Sequence, residues 1–309
     1  MVPDNFFPPD ASGPFRMSVA PETLKQALLR KAVDFAVLLV RPHEAPTSGV
    51  LVKVDECYGI LTAEHVIYEP DPPFDNREDS PQTLILPFRA YPEPSLGNKM
   101  FEDKIFPDAL RIPMNRLSWF PEARKRGKYG RDGPDLAFIR LPTSCISEIQ
   151  AKKVFYGLTL SGDRLREAST DDGILAVVGS PAEWFNPGPH AHGQELFRLA
   201  TIVTIFSELE SRDVHDEWGF LNVILYPATA VNEGRPLPSS FEGVSGGPVF
   251  RFPGTKKMPF EEWTKVEPVL AGIVFWQEWQ NPETRLLRAH GPQSIYDTFV
   301  HQVRSWLLG

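Results

Sequence analysis

The 309-residue chain has only two cysteines, Cys57 and Cys145. Two cysteines cannot staple a small secreted scaffold, so a disulfide framework is excluded and a reducing, intracellular setting is the simplest expectation. Long hydrophobic runs are missing as well. The longest uninterrupted apolar stretch, Phe35 to Val40, has six residues, far short of the roughly 20 that span a bilayer. Met1 to Pro14 lacks the basic start and apolar core of a secretory leader, so a cytoplasmic location without a membrane partner is expected. Positive charge is also scarce: 32 Lys and Arg against 40 Asp and Glu leave a formal charge of −8. Phosphate contacts need a basic face, and nucleic acid is not the expected partner.

Proline is abundant. Its 31 residues are about twice the usual share, and proline removes a backbone donor and clashes inside a helix. A helical bundle is excluded, and short strands joined by stiff loops are favoured. Apolar runs rich in branched residues recur at 35–41, 48–54, 57–62, 83–88, 135–141, 173–178, 198–206, 220–226 and 268–276, most of them bounded by Gly or Pro. This pattern predicts an all-β barrel or sandwich. Two helices are expected. One spans 21–34, with Leu24, Leu28 and Ala32 on one face; the other spans 293–307, with Ile295, Phe299, Val303 and Leu307 four apart. Residues 69–82 and 89–134 read as long loops, and residues 1–20 as a flexible or docking arm.

Three segments carry candidate chemistry. Gly243-Val-Ser-Gly-Gly-Pro248 sets a serine among glycines, which lets the backbone turn sharply and present N–H groups beside the hydroxyl. By itself it is equally a Gly-rich turn before a strand. In Gly59-Ile-Leu-Thr-Ala-Glu-His65-Val a histidine follows directly on a strand, and lone histidines are more often structural. In Pro134-Asp135-Leu-Ala-Phe-Ile-Arg-Leu-Pro142 an aspartate opens an apolar strand, where it can orient a histidine or simply cap a turn. The order His, Asp, Ser along the chain is that of chymotrypsin-type enzymes rather than subtilisins or α/β-hydrolases.

With these residues the chain resembles the trypsin/chymotrypsin-like serine peptidases, and among them the bacterial-type branch without disulfides. Thr62-Ala-Glu-His65 is similar to that family's T-A-A-H motif. Asp135-Leu-Ala-Phe-Ile-Arg-Leu is similar to D-[IL]-A-L-[IL]-x-L, and Gly243-Val-Ser245-Gly-Gly-Pro to G-D-S-G-G-P. Leu270-Ala-Gly-Ile-Val-Phe-Trp276 resembles the strand beside the substrate cleft, and Ile174 to Pro181 a strand-plus-G-x-P element. The resemblance covers roughly residues 35–308. It implies two antiparallel β-barrels with a short N-terminal and a C-terminal helix. Residues 21–142 would carry His65 and Asp135, and residues 143–309 would carry Ser245. It also implies a serine endopeptidase with a His65, Asp135 and Ser245 triad and an oxyanion hole from the Gly243 and Ser245 amides. No cofactor or metal is required, and the substrate is a protein or peptide.

The chain departs from that pattern at several positions. Val244 stands where secreted relatives have an aspartate that pairs with a new N-terminus after cleavage. Activation by trimming is therefore not expected, and what sets the turn instead is left open. Phe275 replaces a serine that bonds the catalytic aspartate in many relatives, and Gln277 replaces a pocket-opening glycine. Ser239, six before Ser245, puts no acid at the pocket floor. Ser239, Phe275, Trp276 and Gln277 are thus the candidate substrate-binding residues, with a neutral or apolar residue expected before the scissile bond. The alternative is a catalytically idle fold that binds peptides or proteins. An enzyme restrained by its own loops or by a regulatory partner lies between the two. Three weaker features read as solvated loops: His190 and His192, the acidic cluster Asp213, His215, Asp216 and Glu217, and the basic run from Arg124 to Arg131.

Overall fold

The computed structural model describes residues 16–40, 46–68, 83–87, 109–121, 131, 133–159, 162–182, 203–208, 210–215, 218–225, 238–281 and 284–309. Residues 1–15, residues 69–82 expected as a loop, the basic run before Arg131, and His190 and His192 lie outside them.

The described chain starts with a helical turn, α1 (Arg16–Val19), and helix α2 (Glu22–Val33). As the spacing predicts, Leu24, Leu28 and Ala32 are the buried face of α2, and Pro21 and Glu22 open it. Then follow β1 (Ala36–Leu39), β2 (Thr47–Val54), β3 (Cys57–Thr62), the single turn α3 (His65–Tyr68), β4 (Thr83–Leu86), β5 (Leu110–Pro113), β6 (Ser118–Phe120) and β7 (Ala137–Arg140). Helix α4 (Thr143–Gln150), the short β8 (Tyr156–Gly157) and α5 (Gly162–Ser169) lead to β9 (Ile174–Gly179), β10 (Val203–Ser207), β11 (Glu210–His215) and β12 (Trp218–Leu225). The chain ends with β13 (Pro248–Phe252), α6 (Phe260–Trp263), β14 (Val269–Asn281), β15 (Thr284–His290) and a π-helical segment, Gln293–Phe299, that runs into α7 (Val300–Leu308).

The fold is mostly β. One sheet has the order β1-β2-β3-β7-β6, with β8 added in parallel to β2, and a backbone bridge from Val40 to Ile85 brings the β4–β5 pair alongside β1. The second sheet has seven antiparallel strands in the order β10-β9-β13-β14-β15-β12-β11. Ser207 Oγ in β10 donates to the carbonyl of Ile224 in β12 at 2.8 Å, so strands near opposite ends of that ladder meet and the sheet curls.

The curl explains why β9 and β12 read as near-continuous apolar runs: both faces of these strands are buried, so their residues alternate between two cores rather than between core and water. In β9, Leu175 and Val177 pack inside the curl with Leu221, Val249, Ala271 and Leu287. Ile174, Ala176 and Val178 join the larger core that continues into the first sheet. At the junction the Phe250 ring lies 5.5 Å from Phe35, and Tyr156 lies 5.6 Å from Phe35. The two halves also interleave. β8 lies beyond residue 142 yet pairs with β2, and Lys31 of α2 donates to the carbonyl of Val266 at 3.0 Å.

Several elements depart from the sequence expectation. The described part of 89–134, expected as loop, contains β5 and β6. Their three or four residues are too short for alternation to register. Helices α4 and α5 were not anticipated either. α4 buries only Ile146 and Ile149, too few to make a helical stripe. Phe250 has no exposed surface and bridges the halves, so Phe250→Ala is expected to cost about 3–5 kcal/mol in urea unfolding, with a single transition for both halves.

Candidate functional site

Strand register brings the first pair of candidates together. β3 and β7 run antiparallel, with Thr62 opposite Ala137. His65, three residues past one strand end, therefore faces Asp135, two residues before the other. The Asp135 carboxylate accepts the His65 backbone N–H at 2.9 Å through one oxygen and meets Nδ1 at 2.6 Å through the other. A carboxylate only accepts, so Nδ1 carries a proton, which in the neutral ring leaves the lone pair on Nε2. Asp135 is 1% exposed, and the His65 side chain is 21% exposed.

Ser245 lies in a double turn. The Val244 N–H donates to the Phe241 carbonyl at 3.0 Å, and the Gly247 N–H donates to the Val244 carbonyl at 2.8 Å. The third residues of these turns are Gly243 and Gly246, with φ of +85° and +83°, a region open to glycine and strained for other residues. Space is short at both: a Cβ on Gly243 would collide with the Ser180 carbonyl, and one on Gly246 with Thr62 Oγ1 and the Ser48 carbonyl. Thr62 is three residues before His65, so the serine turn is seated on the strand ends that carry the histidine.

The seat is hydrogen-bonded. Ser48 Oγ donates to the Gly243 carbonyl at 2.8 Å and accepts the Ser180 N–H at 3.1 Å. The Ser48 N–H donates to the Ser245 carbonyl at 3.2 Å. The Ala182 N–H donates to the Glu242 carbonyl at 2.5 Å. In a planar trans peptide the C=O and N–H point in opposite directions. Fixing the Glu242 carbonyl on Ala182 therefore aims the Gly243 N–H the other way, and the Val244 carbonyl, held by Gly247, does the same for the Ser245 N–H. Among the described residues neither of these two N–H groups donates a hydrogen bond. The intervening Val244 side chain is buried inside the curl of the second sheet.

Ser239 is exposed. The Gln277 side-chain oxygen accepts the Phe241 N–H at 2.8 Å, and its amide nitrogen is 3.4 Å from Ser240 Oγ, so Gln277 joins β14 to the segment before the serine. Trp276 is 39% exposed. Phe275 faces inward, with its ring 5.8 Å from Phe220 and 4.6 Å from His290.

Sequence reading missed Ser48 and His290. His290 is fully buried at the end of β15, where Nε2 accepts the backbone N–H of Asp135 at 2.9 Å. The rings of Trp218, Phe220 and Phe275 surround it. Burial, with Arg288 adding to it, pulls its pKa from 6.5 down to about 3. No local pattern marks either residue; each reaches the site through partners more than 100 positions away. The Ser180-Pro181 end of the G-x-P element had a signal, and the structure places it against the serine turn.

Asp213 and His215, expected in a solvated loop, stand in strand β11; Asp213 accepts from Arg288 through both oxygens, at 3.0 and 2.8 Å, while Asp216 and Glu217 lie outside the described residues. Arg131 is 3.5 Å from Glu278. Cys57 and Cys145 are both free thiols. Among the described residues no group of three His, Cys, Asp or Glu side chains is arranged to hold a metal ion, and no helix is long and apolar enough to cross a membrane.

No protein-family model and no curated protein sequence matches the chain. Among solved structures, one described as "Aromatic interactions drive the coupled folding and binding of the intrinsically disordered Sesbania mosaic virus VPg protein" is similar over 86% of this chain and 89% of that one, at 12% identity and a TM-score of 0.40. A likeness of that size supports no conclusion about fold or activity.

Two measurements test this geometry. Ser48→Ala leaves the Ser180 N–H and the Gly243 carbonyl buried without their partner, and a loss of about 1–3 kcal/mol is expected in chemical denaturation. The second concerns pH. His290 is neutral in the fold and takes up a proton near pH 6.5 once unfolded. Its contribution is therefore complete above pH 6.5 and is lost as pH falls towards 3, by up to about 1.4 kcal/mol per pH unit. Urea unfolding at pH 7.5, 5.5 and 4.5 should show a shallower decline for His290→Gln than for the wild type.

Proposed function

We propose that the chain is a serine endopeptidase of the trypsin/chymotrypsin-like kind, its two sheets corresponding to two antiparallel barrels with the site between them. The observation that carries this reading is the double hold of Asp135 on His65, at the backbone N–H and at Nδ1. It lies next to a serine turn whose Gly243 and Ser245 N–H groups have no other acceptor among the described residues.

In the reaction, Ser245 Oγ attacks the carbonyl carbon of a peptide bond while His65 Nε2 takes the serine proton. Asp135 keeps Nδ1–H in place and stabilises the imidazolium. Negative charge grows on the carbonyl oxygen, and the Gly243 and Ser245 N–H groups accommodate it; such preset donors are worth roughly 10²–10³ each in rate. His65 then protonates the leaving amine. Water, deprotonated by the same imidazole, attacks the acyl-enzyme and releases the acid. Val244 supports a turn held ready without N-terminal trimming, since a buried valine needs no newly made ammonium partner. The neutral side chains of Ser239 and Gln277 support a neutral residue before the scissile bond.

A second reading, a peptide-binding fold with an idle triad, draws on Gln277, whose side chain already spans from β14 to Phe241 and Ser240. Covalent labelling separates the two. Wild-type chain should react with a fluorophosphonate and cleave casein, and Ser245→Ala should lose both while melting at an unchanged temperature. Undiminished labelling of that variant overturns the peptidase reading, and absent labelling of the wild type favours the idle fold.

A further inference from the structure

Asp135 gives one carboxylate oxygen to the His65 N–H and the other to His65 Nδ1. Its backbone N–H has a partner of its own, His290. Asp135 belongs to the segment that enters β7 from the first sheet, whereas the groups that hold this segment come from β15 of the second. Arg288 and His290 are alternate residues of β15 and so share a face. The Arg288 Nε–H donates to the Arg131 carbonyl at 2.5 Å. His290 Nε2 accepts the Asp135 N–H at 2.9 Å. Between these two points the chain runs so close to the imidazole that a Cβ on Gly133 would lie 3.0 Å from His290 Cε1.

Both supports are themselves fixed. Arg288 is clamped by Asp213 and by the Asn222 side-chain oxygen at 3.0 Å, and its guanidinium lies 4.1 Å from the Phe220 ring centre. His290 stands among Trp218, Phe220 and Phe275, with the Phe275 ring inclined by 31° at 4.6 Å. Phe275 has no hydroxyl to offer the aspartate. It supports instead the ring that receives the Asp135 backbone.

We propose that His290 is a positioning residue for the His65–Asp135 pair, acting through the Asp135 backbone N–H, with Arg288 as the second point of hold; the inference rests on the peptidase reading of the same site. The two sheets are then joined at the acid as well as at the serine turn. A displaced Asp135 would leave the imidazole aimed away from Ser245, and misplacements of about 1 Å cost on the order of 100-fold in rate.

The test compares the full-length wild type, His290→Phe, which keeps the ring packing and removes the acceptor, and His290→Gln, whose side-chain oxygen can take the place of Nε2. Two readouts are used: kcat and KM on a peptide substrate, and the far-downfield proton resonance of His65 Nδ1–H bonded to Asp135. The expected result for folded His290→Phe is a fall in kcat of about tenfold or more with KM within twofold, and loss of the downfield resonance. His290→Gln should return both towards wild type. Wild-type kcat and an unmoved resonance in His290→Phe overturn the proposal. If His290→Phe does not fold, Arg288→Lys is read in the same way: it loses the Nε–H to Arg131 and keeps its charge towards Asp213, so an unmoved resonance overturns the proposal and a shifted one supports it. A wild-type chain that hydrolyses nothing overturns the peptidase reading alone. The resonance then decides on positioning: loss in His290→Phe with return in His290→Gln supports it, and persistence overturns it.

Discussion

Ser48 is where the two halves of this molecule are tied at the site. From the first strands of one sheet it reaches three points of the other half: the Gly243 carbonyl, the Ser180 N–H and, through its own N–H, the Ser245 carbonyl. Its own carbonyl accepts Thr62 Oγ1 at 2.8 Å, which ties the serine turn to the strand that ends at His65. Ser48 is 1% exposed, so these bonds do not compete with water, and an unmade one would cost a buried polar group its partner. The seat of the serine turn against the strand that leads to His65 depends on this seam.

Around the seam, backbone geometry does most of the orienting. Carbonyls of the serine turn are held by Ala182, Ser48 and Gly247, and peptide planarity aims the Gly243 and Ser245 N–H groups away from the partners of the Glu242 and Val244 carbonyls. The side chain within the turn, Val244, adds apolar burial rather than charge. Fully burying such a side chain contributes about 1.5–3 kcal/mol. An ion pair in the same place would have to offset the desolvation of two charges. The burial of Val244 joins the turn to the core inside the second sheet.

The aspartate is supported in a related way. Neutral His290 receives its N–H inside an aromatic enclosure, and Arg288 fixes the chain four residues earlier. Charge is present here, but it is compensated: Arg288 has Asp213, the side-chain oxygen of Asn222 and the Arg131 carbonyl. These contacts place the first-sheet pair, His65 and Asp135, under the control of the second sheet.

Much of the fold class was readable in the chain itself. Proline excluded long helices, short branched apolar runs marked β1 to β4, β7, β9, β10, β12 and β14, and the four-residue spacing found α2 and the closing helix. The short β5 and β6, and helices α4 and α5 with their narrow apolar faces, carried too little local signal. At the site, Gly243, Gly246, His65, Asp135 and Ser245 were legible because backbone strain and side-chain chemistry limit which residues can stand there. What only the tertiary structure decided is who supports them: Ser48 lies 195 residues from Gly243, and His290 lies 155 from Asp135. A buried serine and a buried histidine look like ordinary core residues in any local window. Their roles come from strand register and sheet curl, which bring distant segments within 3 Å and which no short stretch of sequence encodes by itself.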